Sequence, residues 1–368
     1  MSRILLVEPA FPLPDKSKNH SHFLPIGLLK IGSWHKGNGD AVELIRGLHP
    51  AHMRPDRILI TSLFTYWSSS VHSAARYCHA MYPKALIEVG GVYASLMPEH
   101  CRRALPFARV CPGLYRGGLA EEVKVDFSLL PEDLDYQIIH TTRGCKRQCA
   151  FCGTWRIEPE FTFKACIKDE IQKPKVVFYD NNLLANPHID SILSELSEIR
   201  LPGGRRVSCE SQSGFDLRLL TASRASLIRA ARFKNPRIAW DGPYAGWRDV
   251  RRSVELLKSV GYGRKDIFFF MMFNHRLRYA EMRANLDACR RWRVRVIDCR
   301  YRPLDQTFDG YVPGAKAQTP EDYYIHPGWN DHEIRCFRRA VRRQNIAILL
   351  DLPNGRYIPG CESRKVET

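Results

Sequence analysis

The chain has 368 residues, 44% of them hydrophobic, which is enough material for two packed globular units. Lysine and arginine total 56 against 39 aspartates and glutamates, so the formal net charge at pH 7 is +17. No stretch of about 18 apolar residues and no charged-then-apolar leader occurs, so the sequence predicts a cytoplasmic protein without a membrane span.

Short apolar runs alternate with helical patterns near the start of the chain. Strands are predicted at residues 3–8, 41–45, 57–61 and 85–91. Helices are predicted at residues 25–34 and 68–81. This alternation predicts a parallel sheet covered on both faces, with a ligand-binding edge at the carboxyl ends of its strands.

Residues 119–135 are predicted to link this sheet to a second α/β domain, because the sequence from Cys101 to Leu134 is irregular, with prolines and the pair Gly117-Gly118 as interruptions. Further strands are predicted at residues 136–140, 175–182, 206–212, 237–242, 266–273 and 294–298. Helices are predicted between them at 190–198, 223–232, 247–260 and 279–292. The pattern again favours parallel strands joined by helices.

Three cysteines, Cys145, Cys149 and Cys152, stand in a C-x3-C-x2-C pattern directly after the strand at 136–140. Three thiolates from one loop can hold a cubic [4Fe-4S] cluster and leave one iron open to a small molecule. A structural zinc is the alternative, but it needs a fourth ligand, and His140 and Cys166 are poorly spaced for that role. The other nine cysteines are scattered, which predicts reduced and mostly buried side chains.

The spacing of these cysteines, with the aromatic Phe151 just before the last of them, resembles the radical S-adenosylmethionine (SAM) superfamily. The resemblance implies that Cys145, Cys149 and Cys152 bind the cluster and that its open iron chelates SAM. It implies reductive cleavage of SAM to a 5'-deoxyadenosyl radical. It also implies that Phe151 packs near the adenine.

The runs 180–186, 212–221 and 301–305 resemble a group of radical SAM proteins with a cobalamin-binding-type Rossmann-like domain, many of them phage-encoded. The implied domains are a Rossmann-like domain at 1–118, a linker at 119–135, a partial (β/α)6 barrel at 136–305 and a C-terminal extension at 306–368. The cobalt-ligating pattern D-x-H-x-x-G is missing, and we interpret His20 and His22 as solvated loop residues. Cobalamin is therefore an option that we do not favour.

The resemblance also assigns roles to polar residues that end the barrel strands. Asp180, Asn181 and Asn182 take the place of a G-G-E run that contacts the amino group of SAM, with helix capping by Asp180 as the alternative. The remaining candidates for contacts to SAM or substrate are Glu210, Ser211, Gln212, Arg218 and Asp241. Arg218 can hold the SAM carboxylate bidentately, or instead form a salt bridge to Asp216.

Basic residues cluster in two places. Arg143, Lys146 and Arg147 flank the cysteines, where positive charge would stabilise a reduced cluster and attract either an electron donor of the flavodoxin or ferredoxin type or an anionic substrate. A solvated loop is the alternative. A helix predicted at residues 332–343 carries a row of arginines opposite its apolar face, namely Arg335, Arg338, Arg339, Arg342 and Arg343. We interpret this row as a candidate phosphate track, with a solvated helix face as the alternative.

Three classes of function fit this sequence. The first is a radical SAM enzyme that modifies or isomerises a nucleic acid base, such as a hypermodified phage DNA pyrimidine, which would have to be flipped out of a duplex. The second is a radical SAM enzyme, for example a methyltransferase, that acts on a peptide or small metabolite. The third is a non-catalytic iron-sulfur regulator. The arginine-rich charge favours the first, although an arginine-rich composition can also reflect genome base content alone.

Overall fold

The structure, a computed structural model, describes residues 1–12 and 24–352. Contacts divide the described chain into two compact units. The first unit holds the described residues of Met1–Phe163 together with Asp169–Lys173 and Pro303–Asp309. The second holds Lys164–Lys168, Pro174–Arg302 and the described residues from Gly310 onward. The four-part domain division expected from the sequence stays a prediction.

A five-stranded parallel sheet forms the centre of the first unit. Its strands are β1 (Arg3–Glu8), β2 (Ala41–Arg46), β3 (Arg57–Ser62), β4 (Leu86–Gly91) and β5 (Arg109–Val110). Their order across the sheet is β2-β1-β3-β4-β5. This is a doubly wound order, in which the chain reverses direction across the sheet between β1 and β3. The predicted Rossmann-like α/β fold is therefore confirmed.

Helices cover both faces of this sheet because its central strands are apolar on both sides. They are α1 (Ile26–Gly37), α2 (Ser68–Met81), α3 (Val92–Leu96) and α4 (Pro98–Ala104). Ile4 and Leu6 of β1 pack in one cluster with Leu28 of α1. The alternate residues of β1, Leu5 and Val7, pack in a second cluster with residues of α2 and α4. Sequence periodicity missed α3, α4 and β5, which are too short to show a repeat.

The remaining elements of the first unit carry the cysteine loop. They are β6 (Tyr136–Ile139), the antiparallel pair β7 (Thr142–Arg143) and β8 (Thr162–Phe163), and the short helix α5 (Thr154–Ile157). The three predicted cluster cysteines lie between β7 and α5. The loop therefore leaves one strand of a small hairpin and returns to the other.

The second unit is built from parallel strands that alternate with helices. The strands are β9 (Lys175–Phe178), β10 (Ser208–Ser211), β11 (Arg237–Ala239), β12 (Phe268–Phe273) and β13 (Arg295–Arg300). The helices are α6 (Ile189–Glu198), α7 (Ala222–Ala230), α8 (Trp247–Ser259), α9 (Tyr279–Arg291) and α10 (Asp331–Leu349). β10 pairs with β9, and β12 pairs with both β11 and β13, in every case in parallel. The predicted strand and helix alternation is confirmed.

The last described helix, α10, is firmly attached to its own unit. A capping box between Asn330 and Glu333 starts it. Asn345 extends the hydrogen bonding of β13, because its side chain accepts from the Val296 amide (2.9 Å) and donates to the Val296 carbonyl (2.7 Å). Among the described residues, no helix is long and apolar enough to cross a membrane.

Candidate functional site

A left-handed glycine and an acidic side chain hold the cysteine loop. Gly144 has φ +67°, and a Cβ there would collide with the backbone carbonyl of Glu160, so only glycine fits this position. The Glu158 carboxylate accepts from the Gly144 amide (2.7 Å) and also pairs with Arg143. The start of the loop is therefore anchored to the chain that returns after it.

The thiols of Cys145, Cys149 and Cys152 are all partly exposed, and the described cysteines are free of disulfides. Backbone and side-chain groups already contact them. The Arg147 amide donates to Cys145 Sγ (3.4 Å), and Cys152 Sγ donates to Thr154 Oγ1 (3.2 Å). Hydrogen bonds to cysteine sulfur tune the reduction potential of an iron-sulfur cluster.

Three cysteine thiols are the donor set that a cubic cluster takes from a protein. Within residues 1–12 and 24–352, no three His, Cys, Asp or Glu side chains are grouped closely enough to bind one metal ion. A cubic cluster takes one thiolate on each of three irons, so its ligands need not converge on one point. By contrast, burial raises the pKa of the Cys209 thiol to about 12, which keeps that cysteine protonated and inert.

In the second unit, polar residues after β9 and β10 form one connected group. Asn182 donates through Nδ2 to Asp216 Oδ2 (3.1 Å). The same carboxylate pairs with Arg218, whose Nε lies 2.9 Å from Asp216 Oδ1. The structure thus contains the salt bridge to Asp216 that the sequence left as an alternative for Arg218. Asp180 is completely buried beside this group, and Ser213 donates to its carbonyl.

A buried ion pair lies at the end of β10. Glu210 pairs with Arg237 of β11, and both side chains are about as buried as core residues, at 6% exposure each. Arg237 also donates to the Ser211 carbonyl (2.6 Å), and Gln212 Nε2 donates to Glu210 Oε1 (3.4 Å). Sequence reasoning selected Glu210 and Gln212 but missed Arg237, because the arginine starts a different strand.

The other predicted site residues differ in burial. Phe151 is half-buried in the cysteine loop of the first unit. Asn181 and Asp241 are exposed at the ends of β9 and β11 in the second unit. Lys146 of the predicted basic flank packs against Phe161, with Nζ 4.8 Å from the ring centre.

The carboxyl edge of the five-stranded sheet carries an aromatic cluster that the sequence analysis did not single out. Phe11, after β1, stacks on Trp67, after β3, at 5.6 Å between ring centres. Phe64 stacks on Tyr66 at 5.0 Å and is about half exposed. Three aromatic residues within positions 64–67, shortly after a buried strand, were a signal that could have revealed this edge.

Two histidines share one tyrosine in the same unit. Tyr93 is fully buried, and its Oη lies 2.8 Å from His72 Nε2 and 2.7 Å from His100 Nδ1. Burial, with the nearby His100 and Arg76, lowers the pKa of His72 to about 4. His72 is therefore neutral at pH 7 and serves as a hydrogen-bonding group. His20 and His22, which the sequence analysis interprets as solvated loop residues, lie outside the described residues.

No protein-family description and no curated protein matches the sequence. Among solved structures, the chain is similar to the radical SAM methyltransferase TsrM from Kitasatospora setae with cobalamin and a [4Fe-4S] cluster bound. The TM-score is 0.64 at 14% identity over 83% of this chain and 77% of that one. The same enzyme with tryptophan and a SAM analogue bound gives a TM-score of 0.61 at 15% identity, over 82% and 73% of the two chains. The chain therefore shares the fold of these two TsrM structures.

Proposed function

We propose that this protein is a radical SAM enzyme. The carrying observation is the cysteine loop: three partly exposed thiols between β7 and α5, anchored by Gly144 and Glu158, in a chain with this fold. Cys145, Cys149 and Cys152 would hold a [4Fe-4S] cluster, which when bound to SAM supplies the electron for reductive cleavage. An electron donor of the flavodoxin or ferredoxin type would have to reduce it.

The chain's own residues would orient the cofactors. The amide of Arg147 and the hydroxyl of Thr154 hold thiols of the loop, and Phe151 would pack near the adenine. For SAM we propose contacts from the ends of the barrel strands, drawn from Asp180, Asn181, Asn182, Glu210, Gln212, Arg218 and Asp241. Because Asp216 already orients Arg218, that guanidinium would reach the SAM carboxylate only by sharing or leaving this pair.

For the substrate we propose a nucleic acid base, which the enzyme modifies or isomerises. The support is the net charge of +17 and the basic groove described below. A base in a duplex would have to be flipped before a barrel-bound radical could reach it.

The test of the radical SAM proposal is anaerobic reconstitution followed by SAM cleavage. The wild type should bind about four irons per chain and form 5'-deoxyadenosine with a reductant. Cys149→Ala should abolish this product without unfolding the protein, because the thiol lies in a half-exposed loop.

The matched control is Cys166→Ala, an exposed cysteine outside the loop that bonds Glu195. It should cleave SAM like the wild type. Cleavage at the wild-type rate in Cys149→Ala, or one bound zinc and no iron, would contradict the proposal. Formation of 5'-deoxyadenosine by the wild type would exclude a purely regulatory cluster.

A second candidate is cobalamin-dependent methyl transfer to a peptide or small metabolite. The observation that favours it is the β2-β1-β3-β4-β5 sheet together with the similarity to TsrM, a methyltransferase solved with cobalamin. A methylated product would support this candidate, whereas salt-dependent binding of nucleic acid would support the first.

A further inference from the structure

A groove of about 940 Å³ runs beside α10 in the second unit. One side is the segment from Tyr311 to Lys316, and the other is the outer face of the helix. The cationic residues that line it are Lys316, Arg335, Arg338, Arg339 and Arg342, against the single acidic residue Asp298. The groove therefore carries a strong excess of positive charge.

Two of these arginines are structural. Arg335 Nε lies 2.7 Å from Asp331 Oδ2, one turn earlier on α10. Arg338 Nε lies 2.9 Å from Asp298 Oδ2 on β13, and its guanidinium packs over Tyr311 at 5.0 Å from the ring centre. These pairs fix the walls of the groove, and they neutralise two of its five cations.

Lys316 and Arg342 are different. Both side chains are exposed and line the groove from opposite sides. Neither forms an ion pair with another residue in the part of the chain that the structure describes. Their charges therefore remain available to an anionic ligand.

The shape and lining of the groove favour one kind of anionic ligand over others. It is concave, and apolar residues accompany the cations: Pro313 and Ala315 on one side, Ile346 and Leu349 on the other, with Ile346 45% and Leu349 40% exposed. Cations that can meet phosphates beside an apolar floor that can meet bases suit an unpaired nucleic acid strand. A flat, acidic protein surface would not reach into such a concavity.

We propose that this groove binds a single-stranded segment of nucleic acid, with Lys316 and Arg342 contacting its phosphates. This inference rests on the proposed function, because the groove would be the surface that holds the nucleic acid substrate. It also corrects the interpretation of all five arginines of α10 as one phosphate track. Arg335 and Arg338 are bound to carboxylates, and Arg343 lies outside the groove.

The experiment is fluorescence anisotropy of a labelled oligodeoxythymidylate with the full chain over a series of salt concentrations. The double variant Lys316→Gln/Arg342→Gln should bind about tenfold more weakly near 0.1 M salt. Its slope of log affinity against log salt should flatten by about 1.4, since each phosphate contact on a single strand contributes about 0.7.

The matched control is Arg252→Gln/Arg343→Gln, which removes the same charge from exposed positions on α8 and α10 outside the groove. Its slope should equal that of the wild type. The proposal is overturned if the wild type does not bind the oligodeoxythymidylate at low salt, or if the slope of log affinity against log salt flattens equally in both double variants. It is also overturned if thymidine monophosphate, at the same phosphate concentration, competes as well as the strand. Binding needs no SAM cleavage, so a wild type that binds the strand but forms no 5'-deoxyadenosine would contradict only the proposed reaction.

Discussion

The carboxyl edges of the two parallel-strand regions carry different kinds of side chain, aromatic in one and polar in the other. In the first unit, the strands of the five-stranded sheet end at aromatic rings, among them Phe11, Phe64 and Trp67. In the second unit, the segments after β9 and β10 carry amide and charged side chains that pair with one another, as Asn182 does with Asp216. Glu210 near the end of β10 also pairs with Arg237 at the start of β11.

The two edges therefore differ in chemistry, with aromatic rings on one and paired polar groups on the other. The rings of the first edge, of which Phe64 is about half exposed, offer an apolar surface without fixed charge. Buried ion pairs contribute little net stability, but removing one partner of such a pair is costly. The predictions below test each edge in turn.

The largest effect is expected at the polar edge. Arg237→Met should lower the free energy of unfolding of the second unit by about 3–5 kcal/mol, because it leaves the Glu210 carboxylate buried without its partner. Urea unfolding of the full chain measures this. Adding Glu210→Leu to the variant should recover most of the loss, since the unpaired charge is then gone.

The control for that measurement is Arg251→Met, which breaks the exposed pair between Arg251 and Glu255 on α8. It should cost only about 0.3–0.5 kcal/mol. Equal costs for the buried and exposed variants would show that the pair at the end of β10 is not what holds this edge.

A smaller effect is expected at the edge of the five-stranded sheet. Gly91 has φ +93°, and a Cβ there would collide with the Ser62 carbonyl and lie 2.9 Å from the Ser62 amide nitrogen. Gly91→Ala should therefore destabilise the first unit by about 2–4 kcal/mol, through backbone strain plus overpacking. Thermal unfolding of the full chain measures this.

Gly39→Ala separates the two causes, because Gly39 has φ +82° with no atom within 4 Å of the added Cβ. It should cost about 1 kcal/mol from strain alone. If the two alanine variants unfold at the same temperature, the close approach of β4 to β3 at Ser62 does not add to the destabilisation.

The prediction with the smallest effect on stability concerns cobalamin. It is also the most direct test of the aromatic edge. Protein produced with ample cobalamin should either lack the visible absorbance of the vitamin or bind it without a histidine ligand, because D-x-H-x-x-G is missing. If it binds, Trp67→Ala should weaken binding by removing the ring that stacks with Phe11. A histidine-ligated cobalt signal that disappears in His20→Ala or His22→Ala would show that this interpretation is wrong.

Local chemistry explains what could be predicted. The C-x3-C-x2-C loop needs no partner distant in sequence, so its spacing alone indicated a cluster. The strands and long helices followed from apolar periodicity, and α2 has the predicted bounds, Ser68–Met81. Short elements such as α4, where Cys101 is buried, contain too few residues for any period to appear.

Charge pairing over long sequence distances could not be predicted in the same way. The five arginines of α10 were visible as one helix face, since a helix repeats every 3.6 residues. Which of them remain available to an anionic ligand depends partly on Asp298 of β13. Asp298 lies 40 residues before Arg338 in sequence, but its Oδ2 is 2.9 Å from Arg338 Nε. In the same way, Arg237 reaches Glu210 only because the start of β11 lies close to the end of β10.

The sequence by itself thus determined the α/β fold, the cysteine loop and the overall basic charge, because each is set by neighbouring residues or by composition. Only the tertiary structure decided the strand order, the aromatic edge and which cations are neutralised. The physical reason is that an ion pair or a ring contact depends on distance between side chains, and packing of the strands and helices sets that distance.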